Sequence, residues 1–404
     1  MSTSLLYHGF SLVGYDYVRT RYEGSNITFT IRHKRGKLCC AVCRGREVVM
    51  RGTTRRRFRT VPIGSKGVFF DLEVQRIGCL RCGSIRQVSL GFADQRFSYT
   101  HAFERYVLDL SKRMTIRDVS RHLGVSWDVI KEIQKRYLTC KFSSPCLKDV
   151  RTIAIDEIAV RKGHRYLTVV LDMESGAVIF VGDGKGAEAL DPFWKRLKHS
   201  KAKIKAVAMD MSPAYVSAVS THLPQATIVF DHFHVVKLFN DKLSNLRREL
   251  HREAKDNLQK EVLKGTRWLL LKNPENLDAN KREKERLEEA LKLNQPLACA
   301  YYLKEYLRQI WLQENKEQAE NILNDWIKQA QVSGIKMLMK FANTLAGYKS
   351  GILAYYDFRI SSGPLEGTNN KIKTMKRMAY GFRDMEFFKL KIMGLHETKY
   401  ALVG

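Results

Sequence analysis

Between Thr152 and His234 the chain alternates short apolar runs with polar breaks and amphipathic stretches. TIAIDEIAV, RYLTVVLDM and AVIFVGDG come in succession, then a helical stretch around EALDPFWKRLKH, then KAVAMDM, a helix from Pro213, and ATIVFDHFH. Runs this short, this rich in Ile, Val and Ala and bounded by Gly, Asp or Pro have the composition of buried strands. Three strands in sequence followed by helix, strand, helix and strand leave few arrangements. The order predicts a mixed sheet with helices packed on it.

Two of these runs end on or carry a carboxylate. Asp156 falls on the first strand and Asp210, in AMDMSPAY, at the end of the fourth. A third acid, Glu366, follows Gly363 and Pro364, which fit a helix start. Its helix places Glu366, Asn370, Lys373 and Arg377 on one face. Carboxylates delivered from strand ends and a helix start can converge on divalent metal ions, which polarise a phosphate and activate a water or hydroxyl for in-line attack. Glu157 is an alternative ligand to Asp156, although strand alternation sends the two side chains to opposite faces. Asp231 and His234 stand ready to steady such a site or to contact its substrate; equally, they are polar residues satisfied within a core.

About 155 residues separate Asp210 from Glu366. From Val235 to about Lys349 the pattern is helical and heavily charged, as in DKLSNLRRELHREAKD and KREKERLEEALKL, so the sheet core must be split by a helical insertion. Trp268 is read as a core residue of that insertion, with a base-stacking platform as the alternative.

The charge balance favours a polyanionic partner. Lys and Arg number 70 against 42 Asp and Glu, a net charge of +28, and such a surplus binds phosphates through neutralisation and counterion release. No apolar run approaches the roughly 18 residues of a membrane span, and the N-terminus lacks the pattern of a signal peptide. The expectation is a cytoplasmic, nucleoid-associated protein without structural disulfides.

Five of the eight cysteines lie in the first 82 residues. Cys40 and Cys43 form one C-x-x-C pair and Cys79 and Cys82 another, the arrangement of a tetrahedral structural zinc site in which the Gly after each pair relieves the backbone. Cys39 is a spare thiol able to replace Cys40. The 35 residues between the pairs contain two alternating segments, Phe58 to Val61 and Val68 to Val74, that predict a hairpin. Arg51, Arg55, Arg56, Arg57 and Arg59 run along the same stretch as a phosphate-gripping strip or a solvated charge run.

From Ser98 to Leu138 the period becomes helical. Phe103, Val107 and Leu110 share one face. Thr115 caps a short helix holding Ile116, Val119 and Leu123, Gly124 makes a turn, and Ser126 caps a helix buried through Val129, Ile130 and Ile133. That is a helix-turn-helix, whose second helix would present Ser126, Trp127, Asp128 and Lys131 to a major groove.

With the double C-x-x-C module, helix-turn-helix, AIDEIAV, AMDMSPAY, FDHFHVVK and GPLEGTNNKIKTMKRMAYGFR in this order, the chain resembles the ISL-three family of bacterial insertion-sequence transposases over nearly its whole length. The resemblance implies a ribonuclease-H-like core with an Asp-Asp-Glu triad on Asp156, Asp210 and Glu366, served by Mg²⁺ or Mn²⁺, and an Asp-x-x-His motif at Asp231 to His234. It implies double-stranded DNA as partner, both as inverted-repeat ends and as target, and a homodimer or larger assembly to pair two ends. The expected division is a zinc module over residues 1–95, a helix-turn-helix domain over 96–148, a first core part over 149–236, a helical insertion over 237–349 and a last core part over 350–404. The rival expectation is a non-catalytic zinc and helix-turn-helix regulator.

Overall fold

The computed structural model describes residues 5–161, 165–254, 257–361 and 363–395, so the last nine residues of the 350–404 segment lie outside the description. Among the described residues the chain forms two compact units, one of residues 5–143 with 378–381, the other drawn from 144–377 and 382–395. Among the described residues no helix is long and apolar enough to cross a membrane.

The first unit opens with a short helix α1 (Leu5–Phe10) and a five-stranded sheet. Its strands are β1 (Tyr15–Glu23), β2 (Asn26–His33), β3 (Val48–Ile63), β4 (Lys66–Cys79) and β5 (Ile85–Gln87), in the order β1-β2-β4-β3 with β5 also on β4. β3 and β4 form the expected hairpin, longer than the sequence pattern suggested: Phe58 pairs with Phe70, and the pairing runs from Ile63 and Lys66 at the tip to Val48 and Cys79 at the open end. One face is apolar, with Phe29, Ile31, Phe58, Val68, Phe70, Leu72 and Val74 buried in a single cluster. Three helices follow in the same unit, α2 (His101–Ser111), α3 (Ile116–Leu123) and α4 (Trp127–Phe142).

Those helices begin and end where their sequence says they should. Thr115 accepts from the Asp118 N–H and Ser126 from the Val129 N–H, so each helix start has a side-chain acceptor for an otherwise orphaned donor. Gly124 takes the left-handed conformation (φ 62°) that stops α3 and turns the chain. Phe103, Val107, Val119, Leu123, Ile130 and Ile133 fill the space between the helices, with Leu110 and Val129 packed at its edge.

The second unit is a mixed α/β layer. Its sheet has β6 (Thr152–Arg161), β7 (Arg165–Asp172), β8 (Val178–Asp183), β9 (Ala206–Met209) and β10 (Thr227–Phe230), in the order β10-β9-β6-β7-β8. β6, β7 and β8 are antiparallel neighbours, whereas β9 and β10 run parallel to β6 through crossovers by α5 (Asp191–Ser200) and α6 (Pro213–His222). The mixed sheet read from the apolar runs is therefore present, strand for strand.

A helical block then runs from α7 (His232–Glu253) through α8 (Asn257–Gly265), α9 (Arg267–Leu271), α10 (Glu283–Leu293), α11 (Gln295–Gln309), α12 (Lys316–Val332) and α13 (Lys336–Gly347). It shares one apolar cluster with the sheet, from Ile153 and Val207 to Trp326 and Phe341. Trp326 is its buried tryptophan, and its indole N–H donates to the Leu303 carbonyl at 2.7 Å. Trp268 is not: it is 65% exposed with the Arg267 guanidinium over its ring. The core reading of Trp268 is thus corrected, because α9 turns Leu269 and Leu270 inward instead. Lys304, buried in α11, is held by the carbonyls of Leu270 and Lys272, both at 2.9 Å, and by Glu305, so the end of α9 is capped from within.

The chain returns to the sheet through α14 (Lys349–Leu353) and α15 (Tyr355–Phe358), then α16 (Gly363–Met378) and α17 (Met385–Met393). α14 lies so close to β10 that a Cβ on Gly351 would stand 2.5 Å from the Phe230 ring. Only glycine permits that approach.

Candidate functional site

In the second unit the geometry starts from sheet register. Ala154 of β6 pairs in parallel with Ala208 of β9, and two residues further along stand Asp156, within β6, and Asp210, the first residue past the end of β9. Parallel pairing thus sets the two carboxylates level with each other. Asp156 is mostly buried; its Oδ1 accepts the Glu157 N–H at 2.8 Å and its Oδ2 accepts Asn369 Nδ2 at 2.8 Å. Burial pushes the Asp156 carboxyl above its ordinary range, the Glu157 N–H and the nearby His234 pull it down, and Asp210 raises it again.

Glu157 obeys the alternation read from the sequence and still belongs to this neighbourhood. It pairs with Thr168, whose hydroxyl meets the Tyr215 hydroxyl of α6 at 2.9 Å, while Asp156 faces α16. Burial raises the Glu157 carboxyl, and Asp210 raises it further against the pull of Lys185 and Lys237. Asp210 is therefore electrically coupled to acids on both faces of the strand end, and the Ser212 N–H caps its Oδ1 at 3.1 Å.

Glu366 sits exposed in the first turn of α16, with Asn370, Lys373 and Arg377 exposed along the same face. The helix is fastened to β6 through a different stripe. Leu365, Asn369 and Ile372 are buried, Asn369 bonds Asp156, and Lys376 Nζ donates to the Val160 carbonyl at 3.1 Å. Sequence reasoning chose Asn370 and missed Asn369 and Lys376. A signal was available: an Asn in the register of an otherwise apolar stripe must find a partner.

Asp231 is 2% exposed, with His232 Nδ1 3.3 Å from its Oδ1. A carboxylate so covered cannot reach a DNA strand, and its burial fits both the steadying reading and that of a polar residue satisfied within the core. His232 is a partner that the Asp-x-x-His spacing did not suggest. His234 starts α7 by donating its N–H to the Asp231 carbonyl, and its ring acts electrostatically on Asp156.

Among the described residues, the group of three or more metal-capable side chains with ligand atoms all within 4.8 Å of one another is the cysteine set, and Asp156, Asp210 and Glu366 are not gathered to that distance. Like charges resist such gathering until a cation balances them. The donors nonetheless suit a divalent ion: the Asp156 carboxyl and, beside the set, that of Glu157 are raised first by burial and then by the nearby Asp210, and the neighbouring Asn369 Oδ1 is a buried acceptor with no partner among the described residues.

In the first unit Cys40, Cys43, Cys79 and Cys82 converge, with Sγ separations of 3.6 Å for Cys40 and Cys82 and 3.5 Å for Cys43 and Cys79. A tetrahedral zinc with bonds of about 2.3 Å spaces its sulfurs by about 3.8 Å, so the set fits that ion. Cys39 stays outside the cluster. The left-handed residues that turn the two knuckles are Arg44 (φ 58°) and Gly83 (φ 68°), so in the first knuckle an arginine takes the turn expected of Gly45. The Ser84 hydroxyl lies 3.3 Å from Cys40 Sγ and is the main cause of that thiol's fall to about 6, while against the Gly45 backbone contact the Cys79 thiol, burial and the other cysteines push Cys43 up to about 11.

The arginine strip divides, because a strand turns alternate residues to opposite faces. Arg55 and Arg57 gather with Arg21 around the buried Asp71, leaving a net positive face. Arg56 points the other way, lying over the Phe58 ring and donating to the carbonyls of Gln95 and Phe97. It is a strut between segments of this unit, and the reading of it as part of a single phosphate-gripping strip is corrected. Arg59 is likewise committed, to the carbonyls of Leu123 and Val68. On α4, Ser126, Trp127 and Asp128 are exposed, with Lys131 Nζ 5.3 Å from the Trp127 ring centre.

Two family models match the chain: one described as a transposase over residues 153–392, and one described as the helix-turn-helix domain of transposase family ISL3 over residues 88–138. The transposase for insertion sequence element IS1001 of Bordetella parapertussis is 34% identical over 372 residues, 91% of each chain. The transposase for insertion sequence element IS1557 of Mycobacterium tuberculosis is 28% identical over 388 residues, 89% of this chain and 86% of that one. Among solved structures, the Drosophila P element transposase strand transfer complex aligns with a TM-score of 0.40 at 10% identity, over 76% of this chain and 94% of that one, a likeness too slight to carry weight.

Proposed function

Since the chain belongs to the ISL3 family of insertion-sequence transposases, we propose that it cleaves the ends of its element and joins them to target DNA through Asp156, Asp210 and Glu366. The observation that carries this is the level placement of Asp156 on β6 and Asp210 just past the end of the parallel neighbour β9, with the helix of Glu366 bonded to Asp156. The strand order β10-β9-β6-β7-β8, antiparallel on one side of β6 and parallel on the other, supports a ribonuclease-H-like core. On this reading the core comprises 149–236 and 350–404, the insertion 237–349, the zinc module 1–95 and the helix-turn-helix domain 96–148.

The three carboxylates would hold Mg²⁺ or Mn²⁺, which supplies charge neutralisation at the scissile phosphate and lowers the pKa of a bound water or hydroxyl. The protein's own part is positional. β6 and β9 fix two of the acids, α16 brings the third, and Asp231 and His234 steady the strand end beside them. Chemically, a water oxygen displaces the 3′-oxygen at the element end, and the freed 3′-hydroxyl then displaces a bridging oxygen of the target strand. Asn370, Lys373 and Arg377 extend from Glu366 along the exposed face and grip the backbone flanking the break. Ser126 and Trp127 read the inverted repeats, Lys131 grips the phosphates beside them, and Arg55 and Arg57 hold phosphates from the sheet. Two ends must be brought together, so the working form is a dimer or larger.

The test is excision in vitro. A plasmid carrying the element between its native flanks is incubated with purified protein and Mg²⁺, and excised ends and target joints are sequenced. Ends that are bound and never cut would favour the regulator; cut ends that never join would make the protein a nuclease. For end binding, Lys131→Ala is expected to weaken affinity severalfold and lower the slope of log affinity against log salt by about one, as one phosphate contact should. An unchanged slope in a salt titration would remove Lys131 from the interface.

A further inference from the structure

We propose that Asn369 is a positioning residue for the carboxylate site, fixing the rotamer of Asp156, joining it to the helix of Glu366, and offering its side-chain oxygen to the divalent ion or one of its waters. This rests on the metal-dependent reading above. Three features carry it. Asn369 lies in the buried stripe of α16 between Leu365 and Ile372, only 8% exposed, where an apolar residue would pack at no polar cost. Its amide is oriented by its partner: an ionised carboxylate can only accept, so Nδ2 faces Asp156 Oδ2 at 2.8 Å. The same planar amide then presents Oδ1, buried and without a partner among the described residues, beside the acids.

With Oδ1 of Asp156 taken by the Glu157 N–H and Oδ2 by Asn369, the carboxylate has no freedom to rotate. One turn before Asn369 stands Glu366, so the bond that orients Asp156 also sets the height of Glu366 along the helix. Partners of this kind, which orient metal ligands, typically govern affinity or activity by 10- to 100-fold.

The decisive variant is Asn369→Leu, nearly isosteric and matched to its apolar neighbours. Mn²⁺ affinity of the full chain on an end duplex is read by electron paramagnetic resonance, beside thermal unfolding and strand cleavage. The expected result is unfolding at or above the wild-type temperature with Mn²⁺ affinity and cleavage each down about 10- to 100-fold. Asn369→Ala carries the same test should the leucine variant fail to fold. Lys376→Met removes a second polar fastening of α16 and is expected to leave Mn²⁺ affinity within about threefold, since among the described residues Lys376 bonds a carbonyl of β6 and no acid of the site. Wild-type Mn²⁺ affinity in Asn369→Leu overturns the proposal, as does an equal loss in Lys376→Met, which would make Asn369 a mere fastener. If Asp156→Asn also binds Mn²⁺ like wild type, the carboxylate reading itself fails and the Asn369 assignment with it.

Discussion

Asp156→Asn should abolish end cleavage, by about a thousandfold or more, and leave end binding intact. A catalytic metal supplies several kcal/mol of transition-state stabilisation, and about 4 kcal/mol is a thousandfold in rate. The substitution removes the charge that attracts the ion. It also turns one oxygen into a donor: with the remaining oxygen kept towards the Glu157 N–H, the new Nδ2 faces Asn369, which must turn its own amide over to accept on Oδ1. The local cost is about 1–3 kcal/mol, offset in part because burial already opposes the ionised form of Asp156. The fold should therefore stand. The helix-turn-helix and the cysteine cluster lie in the other compact unit, so gel-shift affinity for the ends at fixed salt should match wild type. Cleavage within tenfold of wild type would remove Asp156 from the triad.

The second large effect concerns zinc. Cys79→Ser should empty the cysteine site and unfold the module it closes. A serine hydroxyl stays protonated at neutral pH, so three sulfur ligands are left where four are needed, and structural zinc contributes about 10–16 kcal/mol of apparent binding energy in small domains. Cys79 is the last residue of β4, and its N–H donates to the Ser84 carbonyl while Cys43 approaches it from the other knuckle. Both ends of the long hairpin thus meet at the cysteine cluster. Zinc stoichiometry should fall from about one per chain to near zero, and unfolding of this unit should drop by about 10 °C or more, since 1 kcal/mol moves such domains by about 2–8 °C. Cys39→Ser should change neither quantity. Zinc content unchanged by Cys79→Ser would refute the ligand set.

Much of the site was legible because it is built from local order. The strands that carry Asp156 and Asp210 announce themselves as short apolar runs, and caps such as Thr115 and Ser126 mark helix starts from three residues away. Family order supplied the pairing of these pieces with Glu366. Errors arose where a residue's meaning depends on which way it faces. Arg55, Arg56 and Arg57 look alike in sequence, and the pleat alone assigns Arg56 to internal carbonyls and its neighbours to Asp71. Trp268 and Trp326 both sit in apolar helical text; one is exposed and the other fully buried.

By itself, then, the sequence determined element types, the clustering of four cysteines, the helix-turn-helix and the placing of two of the three acids on or at the end of a strand, because periodicity, capping and cysteine spacing are short-range properties of the chain. Only the tertiary structure decided that Asn369, and not Asn370, meets Asp156, that Asp231 is sealed beside His232, and that Glu157 shares the field of Asp210. Those outcomes depend on the register of α16 against β6 and of β6 against β9. Contacts between segments some 200 residues apart are fixed by packing across the sheet, which no local pattern encodes.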